Sequence, residues 1–299
     1  MPLRAVREYS VYLHKFFAKM ASQIITNPNA KINLGLNIVG ILDNGYHALE
    51  TVFYPVGIRD RLEIEVMEQG NPEGETCEIS LSGIGIKGEG KDNLVVKAYK
   101  MLASDFDLPP IRIRLYKGIP TEAGMGGGSS DCAHMIKMLN QLFSLGISDE
   151  EMMKMAARLG ADCPFFILDK PAYAEGIGEK LSPISLDLGG YFIGIVKPDI
   201  SVSTREAFSL VTPSKPEINC RDIVAKPIGT WKNLLKNDFE KSVFALHPEI
   251  GYIKEKLYDL GALYASMSGS GSVVYGIFPK PLDLSVHFSK GFSCFCTAL

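Results

Sequence analysis

Residues Pro120 to Ala133 read PTEAGMGGGSSDCA. Glycines at 124, 126, 127 and 128 leave backbone N–H groups uncovered, and the run leads straight into a helical pattern. From there Cys132, Met135, Ile136, Leu139, Leu142 and Phe143 recur at helical spacing, and Gly146 closes the run. Consecutive N–H groups at the start of a helix, backed by its macrodipole, make an anion site suited to a nucleotide triphosphate. A flexible linker would not feed a patterned amphipathic helix. Side chains at Gly126 or Gly127 are therefore expected to exclude the phosphates. Two familiar phosphate loops do not fit. A Walker A loop needs Gly-Lys-Ser/Thr, and here Ser129 follows Gly128. A dinucleotide fingerprint fits at Gly124 and Gly126 but meets Ser129 at its third glycine.

Upstream of this loop the period changes to two. Ala30, Ile32, Leu34, Leu36 and Ile38 alternate with Lys31, Asn33, Gly35 and Asn37, which reads as a half-buried strand with an ammonium and two amides on its polar face. Asp43-Asn44-Gly45 predicts a tight hairpin turn, followed at once by Tyr46 and His47. Further strands are expected at 62–66, 77–81 and 111–115, with a helix over 93–104 that Asn93 can cap. Downstream, Ser148 and Glu151 form a capping box for a helix ending at Gly160. Asp162 then stands in a loop before Pro164, either as a catalytic carboxylate or as a local turn cap. The remainder alternates strands at 191–196, 262–267 and 273–278 with helices near 204–210, 234–246 and 249–260, and 292–299 reads as a last strand.

Composition limits the function classes. The 299 residues carry 31 Lys+Arg against 34 Asp+Glu, a net charge of −3, so no basic excess is available for nucleic acid. With 46% hydrophobic and 22% charged residues the chain is globular, and no apolar run is long enough to span a membrane. The six cysteines form no C-x-x-C pair and the five histidines no zinc spacing, which predicts reduced thiols and no metal site of the protein's own. Residues 1–23 differ from the rest: Arg4, Arg7, Lys15 and Lys19 mix with Val11, Leu13, Phe16 and Phe17. They read as an N-terminal extension, either transit-like or preceding a true start at Met20. Pro171, Gly176 and Gly178 loosen the chain near 170–180, which divides it into domains 24–175 and 176–299.

The glycine loop with Ser129-Ser130 opening a helix resembles the second motif of the GHMP kinase superfamily. Pro28 to Leu34 (PNAKINL) resembles its first motif, and Met267 to Ser272 (MSGSGS) its third. Asn44-Gly45-Tyr46-His47, Asp92 to Val95 and Gly160 to Phe166 narrow the likeness to the branch that acts on a cytidine-diphosphate-linked methylerythritol. The resemblance implies an α+β, two-domain GHMP-kinase-like fold with the active site in the cleft between domains. It implies ATP-dependent phosphorylation of that acceptor's 2-hydroxyl, in the non-mevalonate route to isoprenoid precursors, with Mg²⁺ accompanying ATP. It further implies a cytoplasmic monomer or homodimer whose partner is a small molecule, not nucleic acid or membrane.

By the same resemblance Lys31 and Asp162 are catalytic. Phosphoryl transfer needs alignment and charge stabilisation, with a carboxylate to take the hydroxyl proton and a lysine to keep it ionised. Asn93 would contact adenine, and Pro120, Thr121, Glu122, Ala123, Gly124, Met125, Gly126, Gly127, Gly128, Ser129 and Ser130 would bind ATP. Asn33, Tyr46, His47, Thr204, Phe208, Gly269 and Ser270 would bind the acceptor, with Tyr46 and Phe208 on the two faces of the cytosine and His47 at its edge. The family usually has glycine at one or both of the positions held by Glu122 and Ala123, so the direction of the Glu122 carboxylate matters. Two rivals remain: another small-alcohol kinase of the superfamily, of the mevalonate or homoserine type, or a non-catalytic nucleotide-binding regulator. The second would be expected to lack Lys31 or Asp162.

Overall fold

The computed structural model describes residues 23–68, 70, 76–84, 90 and 92–299. The N-terminal extension lies outside the described residues as far as position 22. The chain begins with β1 (Gln23–Thr26), β2 (Asn29–Ile41), β3 (His47–Arg59), β4 (Arg61–Val66) and β5 (Cys77–Gly83). Next come α1 (Leu94–Asp105), β6 (Ile111–Lys117), α2 (Gly127–Leu142), α3 (Asp149–Ala157), α4 (Cys163–Leu168), β7 (Ala172–Glu175) and β8 (Lys180–Pro183). The rest comprises β9 (Phe192–Lys197), α5 (Thr204–Phe208), α6 (Cys220–Val224), α7 (Trp231–Leu234), α8 (Glu240–Leu246), α9 (Pro248–Asp259), β10 (Tyr264–Met267), β11 (Val274–Phe278) and β12 (Ser293–Ala298).

Three four-stranded sheets result, in the orders β1-β4-β6-β5, β2-β3-β7-β8 and β10-β11-β9-β12. All pairings are antiparallel except β5 with β6. In the first sheet Ile111, Ile113 and Leu115 of β6 are buried, facing α1 and α2, while Arg112 and Arg114 pair on the outer side with Glu78, Glu63 and Glu65. That alternation is the period-two rule of a sheet covered on one face. The second and third sheets share a core in which Ile32, Leu34 and Tyr54 meet Ile193, Ile195, Tyr275 and Ile277.

β2 departs from the half-buried strand expected of its alternation. Residues 29–38 are all buried, Lys31 at 3% and Asn33 at 2% exposure. Its apolar face packs on the third sheet, and its polar face is covered by other protein and not by water. The hairpin turn is also longer than the Asn-Gly dipeptide predicts. Leu42 N–H donates to the Tyr46 carbonyl, Asn44 Oδ1 accepts from Tyr46 N–H, and within 43–46 only Gly45 has positive φ. Pro171, Gly176 and Gly178, read from sequence as a loosened chain, belong instead to the hairpin β7–β8, which pairs with β3 through Thr51, Val52 and Phe53. Among the described residues no helix is long and apolar enough to cross a membrane, and none of the six cysteines is in a disulfide.

Candidate active site

Lys31 joins the parts of the site. Its ammonium lies 3.3 Å from Asp162 Oδ2, donates to Asn33 Oδ1 at 2.6 Å and sits 4.8 Å from the centre of the Phe53 ring. Asp162 precedes α4, yet its side chain makes no cap hydrogen bond; the carboxylate, one-third exposed, turns to Lys31. The β7–β8 turn closes over it, because a Cβ on Gly178 (φ +113°) would come 3.5 Å from Asp162 Oδ1. α4 itself was hidden in the sequence: Pro164 reads as an exit signal, but at the first turn of a helix it loses no needed N–H.

Asn33 is fixed from several sides. Its side chain donates to Thr51 Oγ1 at 3.0 Å, and the Thr51 hydroxyl in turn donates to the Gly35 carbonyl. Its backbone N–H donates to Ser268 Oγ at 3.2 Å and its carbonyl accepts from Tyr275 at 2.7 Å. Ser268 also donates to the Gly124 carbonyl at 2.8 Å, so the third loop is tied to the glycine loop. The approach is close: a Cβ on Gly124 (φ +74°) would lie 1.9 Å from the Ser268 oxygen, and one on Gly269 only 3.3 Å from Gly124 Cα. Only glycine fits at 124. Asn237, which carries no motif in the sequence, holds the loop from behind by donating to the Met267 and Gly269 carbonyls. Ser270 remains partly exposed.

The glycine loop walls a cavity of about 430 Å³ that Asn93, Leu94, Pro120 to Ser129, Lys117 and Asp131 line. α2 starts at Gly127, and Gly126 before it is left-handed (φ +70°) and supplies no side-chain cap. The first helical N–H groups are thus left without an Ncap side-chain acceptor, which is what an anion requires. Ser130 departs from the expectation. Its N–H already donates to the Gly126 carbonyl and its hydroxyl is buried beside His134, so it does not line the cavity. Steric exclusion at Gly126 also differs from the expectation, since a Cβ there would meet the Phe166 ring at 2.9 Å and Lys31 Cε at 3.2 Å. Glu122 has positive φ and its carboxylate accepts from Ser201 Oγ at 3.2 Å, across the cleft. Asn93 caps α1 through Val95 N–H while lining the cavity.

At the other end of the site Thr204 opens α5 behind a Ser203–Glu206 capping box, and Phe208 closes it. Phe208 stacks on His47 (centroids 4.3 Å apart, planes at 27°) and meets Phe239 edge-on at 4.7 Å. Tyr46 stands beside this cluster in the sequence and is 62% exposed. His47 therefore covers a face of Phe208, where the sequence reading placed it only at the edge of a base.

An ammonium–carboxylate pair beside a glycine-rich helix start, with residues from both halves of the chain closing on it, is the arrangement of a small-molecule kinase. The chain matches the family descriptions GHMP kinases N terminal domain over residues 93–170 and GHMP kinases C terminal over residues 221–285. A mevalonate kinase of Methanococcus jannaschii shares the fold, with a TM-score of 0.65 at 15% identity over 93% of this chain and 99% of that one. The chain belongs to the GHMP kinases and, within them, to the 4-diphosphocytidyl-2-C-methyl-D-erythritol kinase family. It is 51% identical to the kinase of that name from Bacteroides fragilis over 92% of this chain and all of that one. Identity to the Bacteroides thetaiotaomicron kinase is 52%, over 91% and 98%. The crystal structure of a 4-(cytidine 5'-diphospho)-2C-methyl-D-erythritol kinase superposes with a TM-score of 0.72 at 31% identity, covering 85% of this chain and 90% of that one.

Proposed function

We propose that the chain transfers the γ-phosphoryl group of ATP to the 2-hydroxyl of 4-(cytidine 5'-diphospho)-2-C-methyl-D-erythritol. The observation that carries this reading is the position of Lys31, 3.3 Å from Asp162 and directly under Gly126 of the glycine loop. The loop and the α2 N-terminus hold the phosphates, Asp162 takes the acceptor proton and the Lys31 ammonium stabilises the charge that builds during transfer. The exposed Tyr46 and the His47–Phe208 stack receive the base, His47 moving aside where the base stacks on Phe208. Mg²⁺ accompanies ATP and would neutralise the charge on its phosphates. The enzyme acts in the cytoplasm, as a monomer or homodimer, where ATP is supplied and cysteines outside disulfides stay reduced.

Release of ADP over a panel of alcohols tests the assignment. Turnover is expected with the cytidine-linked acceptor and not with mevalonate, homoserine or galactose; comparable turnover of any of these three overturns it. The base site has its own test. Stacking on an aromatic ring is worth about 1–3 kcal/mol, so Tyr46→Ala should raise KM for the cytidine substrate roughly 5- to 150-fold and spare KM for ATP. An equal change in both constants would place the base elsewhere.

A further inference from the structure

Lys117 ends β6 at the foot of the glycine loop, and its ammonium serves two carboxylates. It donates to Asp60 and, at 2.6 Å, to Asp131 Oδ2. Asp60 Oδ1 also accepts from Gly118 N–H at 2.7 Å and Ile119 N–H at 2.8 Å. All three side chains are shut off from water, with exposures of 7% for Lys117, 2% for Asp60 and 1% for Asp131. The cluster grips the chain as it enters the loop, at 117–119, and as it leaves it, in the first turns of α2. Lys117 and Asp131 line the same cavity as the loop, and a Cβ on Gly127 would lie 3.3 Å from Lys117 Nζ.

The three groups are not equivalent. Asp60 accepts from two backbone N–H groups and an ammonium, so both of its oxygens have donors. Asp131 shares that one ammonium, and its Oδ1 has no hydrogen-bond partner. A second negative charge there would be buried without a second cation. Burial, reinforced by Asp60 and opposed by Lys117, accordingly pushes the Asp131 carboxyl up to about 8. Lys117 from β6, Asp60 from the β3–β4 turn and Cys132 on its own helix are the titratable groups that face it.

We propose that Asp131 is a nucleotide-positioning residue that works as a neutral carboxylic acid. With Lys117 and Asp60 it fixes both ends of the glycine loop, and losing its proton puts a negative charge beneath the phosphates and weakens ATP binding. The proposal rests on the reading of this cavity as the ATP site. None of the three residues has a motif role in the sequence.

The test is KM for ATP and kcat at saturating acceptor from pH 6.5 to 9.5, for the parent, Asp131→Asn and Asp131→Ala. In the parent, KM for ATP should rise severalfold as pH passes about 8, with a smaller change in kcat. Asp131→Asn cannot ionise, so its KM should be flat across the range. Asp131→Ala should raise KM at every pH by releasing the loop. A flat parent profile, or an Asn variant that keeps the parent's rise, overturns the proposal. Melting supplies a readout independent of ATP. A carboxyl whose native pKa lies above its unfolded value costs stability progressively as pH rises from about 4 to about 8, after which the cost is constant. Asp131→Asn should therefore gain melting temperature over the parent across that window. A difference that does not change with pH overturns the neutral-acid role even where ATP binds. If calorimetry shows no ATP binding by the parent at any pH, the reading of the cavity as the ATP site falls, and with it the positioning role.

Discussion

Asp162→Asn is expected to turn over at least about a hundredfold more slowly than the parent while binding ATP and the cytidine substrate nearly as well. The substitution keeps the shape and removes both the charge and the capacity to take a proton. General-base assistance is worth about 10²–10⁴-fold, or roughly 3–5 kcal/mol of barrier. The geometry adds a second cost. Lys31 is almost fully buried and Asp162 is the carboxylate paired with it, so the Asn variant leaves that ammonium with Asn33 Oδ1 and the Phe53 face. Lys31→Met should show a similar defect in kcat. Because the two groups act on each other at 3.3 Å, the double variant should lose less than the product of the single losses. The physical alternative is a loose transition state that needs no base, with Asp162 serving only to place the hydroxyl. Single-turnover rates decide: Asp162→Asn within a few fold of the parent sinks the base assignment.

What the sequence revealed of the fold and site, and what it hid, follows from how each feature is encoded. α1, α2 and α3 were legible because their signals are local: Asn93 and Ser148 cap the next few residues, and the apolar period of α2 is unbroken. The family motifs also located Lys31, Asp162 and the third loop in the chain. What they could not convey is burial. A strand whose polar face meets water and one whose polar face meets a glycine loop have the same alternation, so Lys31 and Asn33 read as half-exposed. The hairpin β7–β8 was hidden because its Pro and Gly residues signal a break locally, whereas its strands are held by pairing with β3, far off in sequence. Clusters such as Asp60, Lys117 and Asp131 have no local spacing at all; Lys117 is 57 residues from one carboxylate and 14 from the other. Glu50 is similar: its carboxylate accepts from Asn37 at 2.8 Å, from Cys220 N–H at 3.0 Å and from the Tyr173 hydroxyl, tying four elements together beneath the site.

Gly126→Val should lower kcat about a hundredfold, and the reason lies behind the loop and not in front of it. The residue has φ +70°, a conformation that costs an L-residue about 1–2 kcal/mol, more when β-branched. Its first carbon would already press on Phe166 at 2.9 Å and on Lys31 Cε at 3.2 Å. Phe166 is fully buried in the core against Phe165, so it cannot move away. The strain then falls on the loop and on Lys31, whose ammonium must hold its distance to Asp162. Displacing a catalytic group by about 1 Å can cost about 10²-fold. Gly128 offers the contrast within the same loop. It has ordinary helical φ, and a Cβ there meets only Leu94 Cδ1, at 4.0 Å, on the cavity side. Gly128→Ala should therefore fold normally and raise KM for ATP while leaving kcat near the parent value. If the two variants behave alike, with ATP affinity lost and kcat kept in both, the loop acts on the phosphates alone. In that event the contact between Gly126 and Lys31 has no part in turnover.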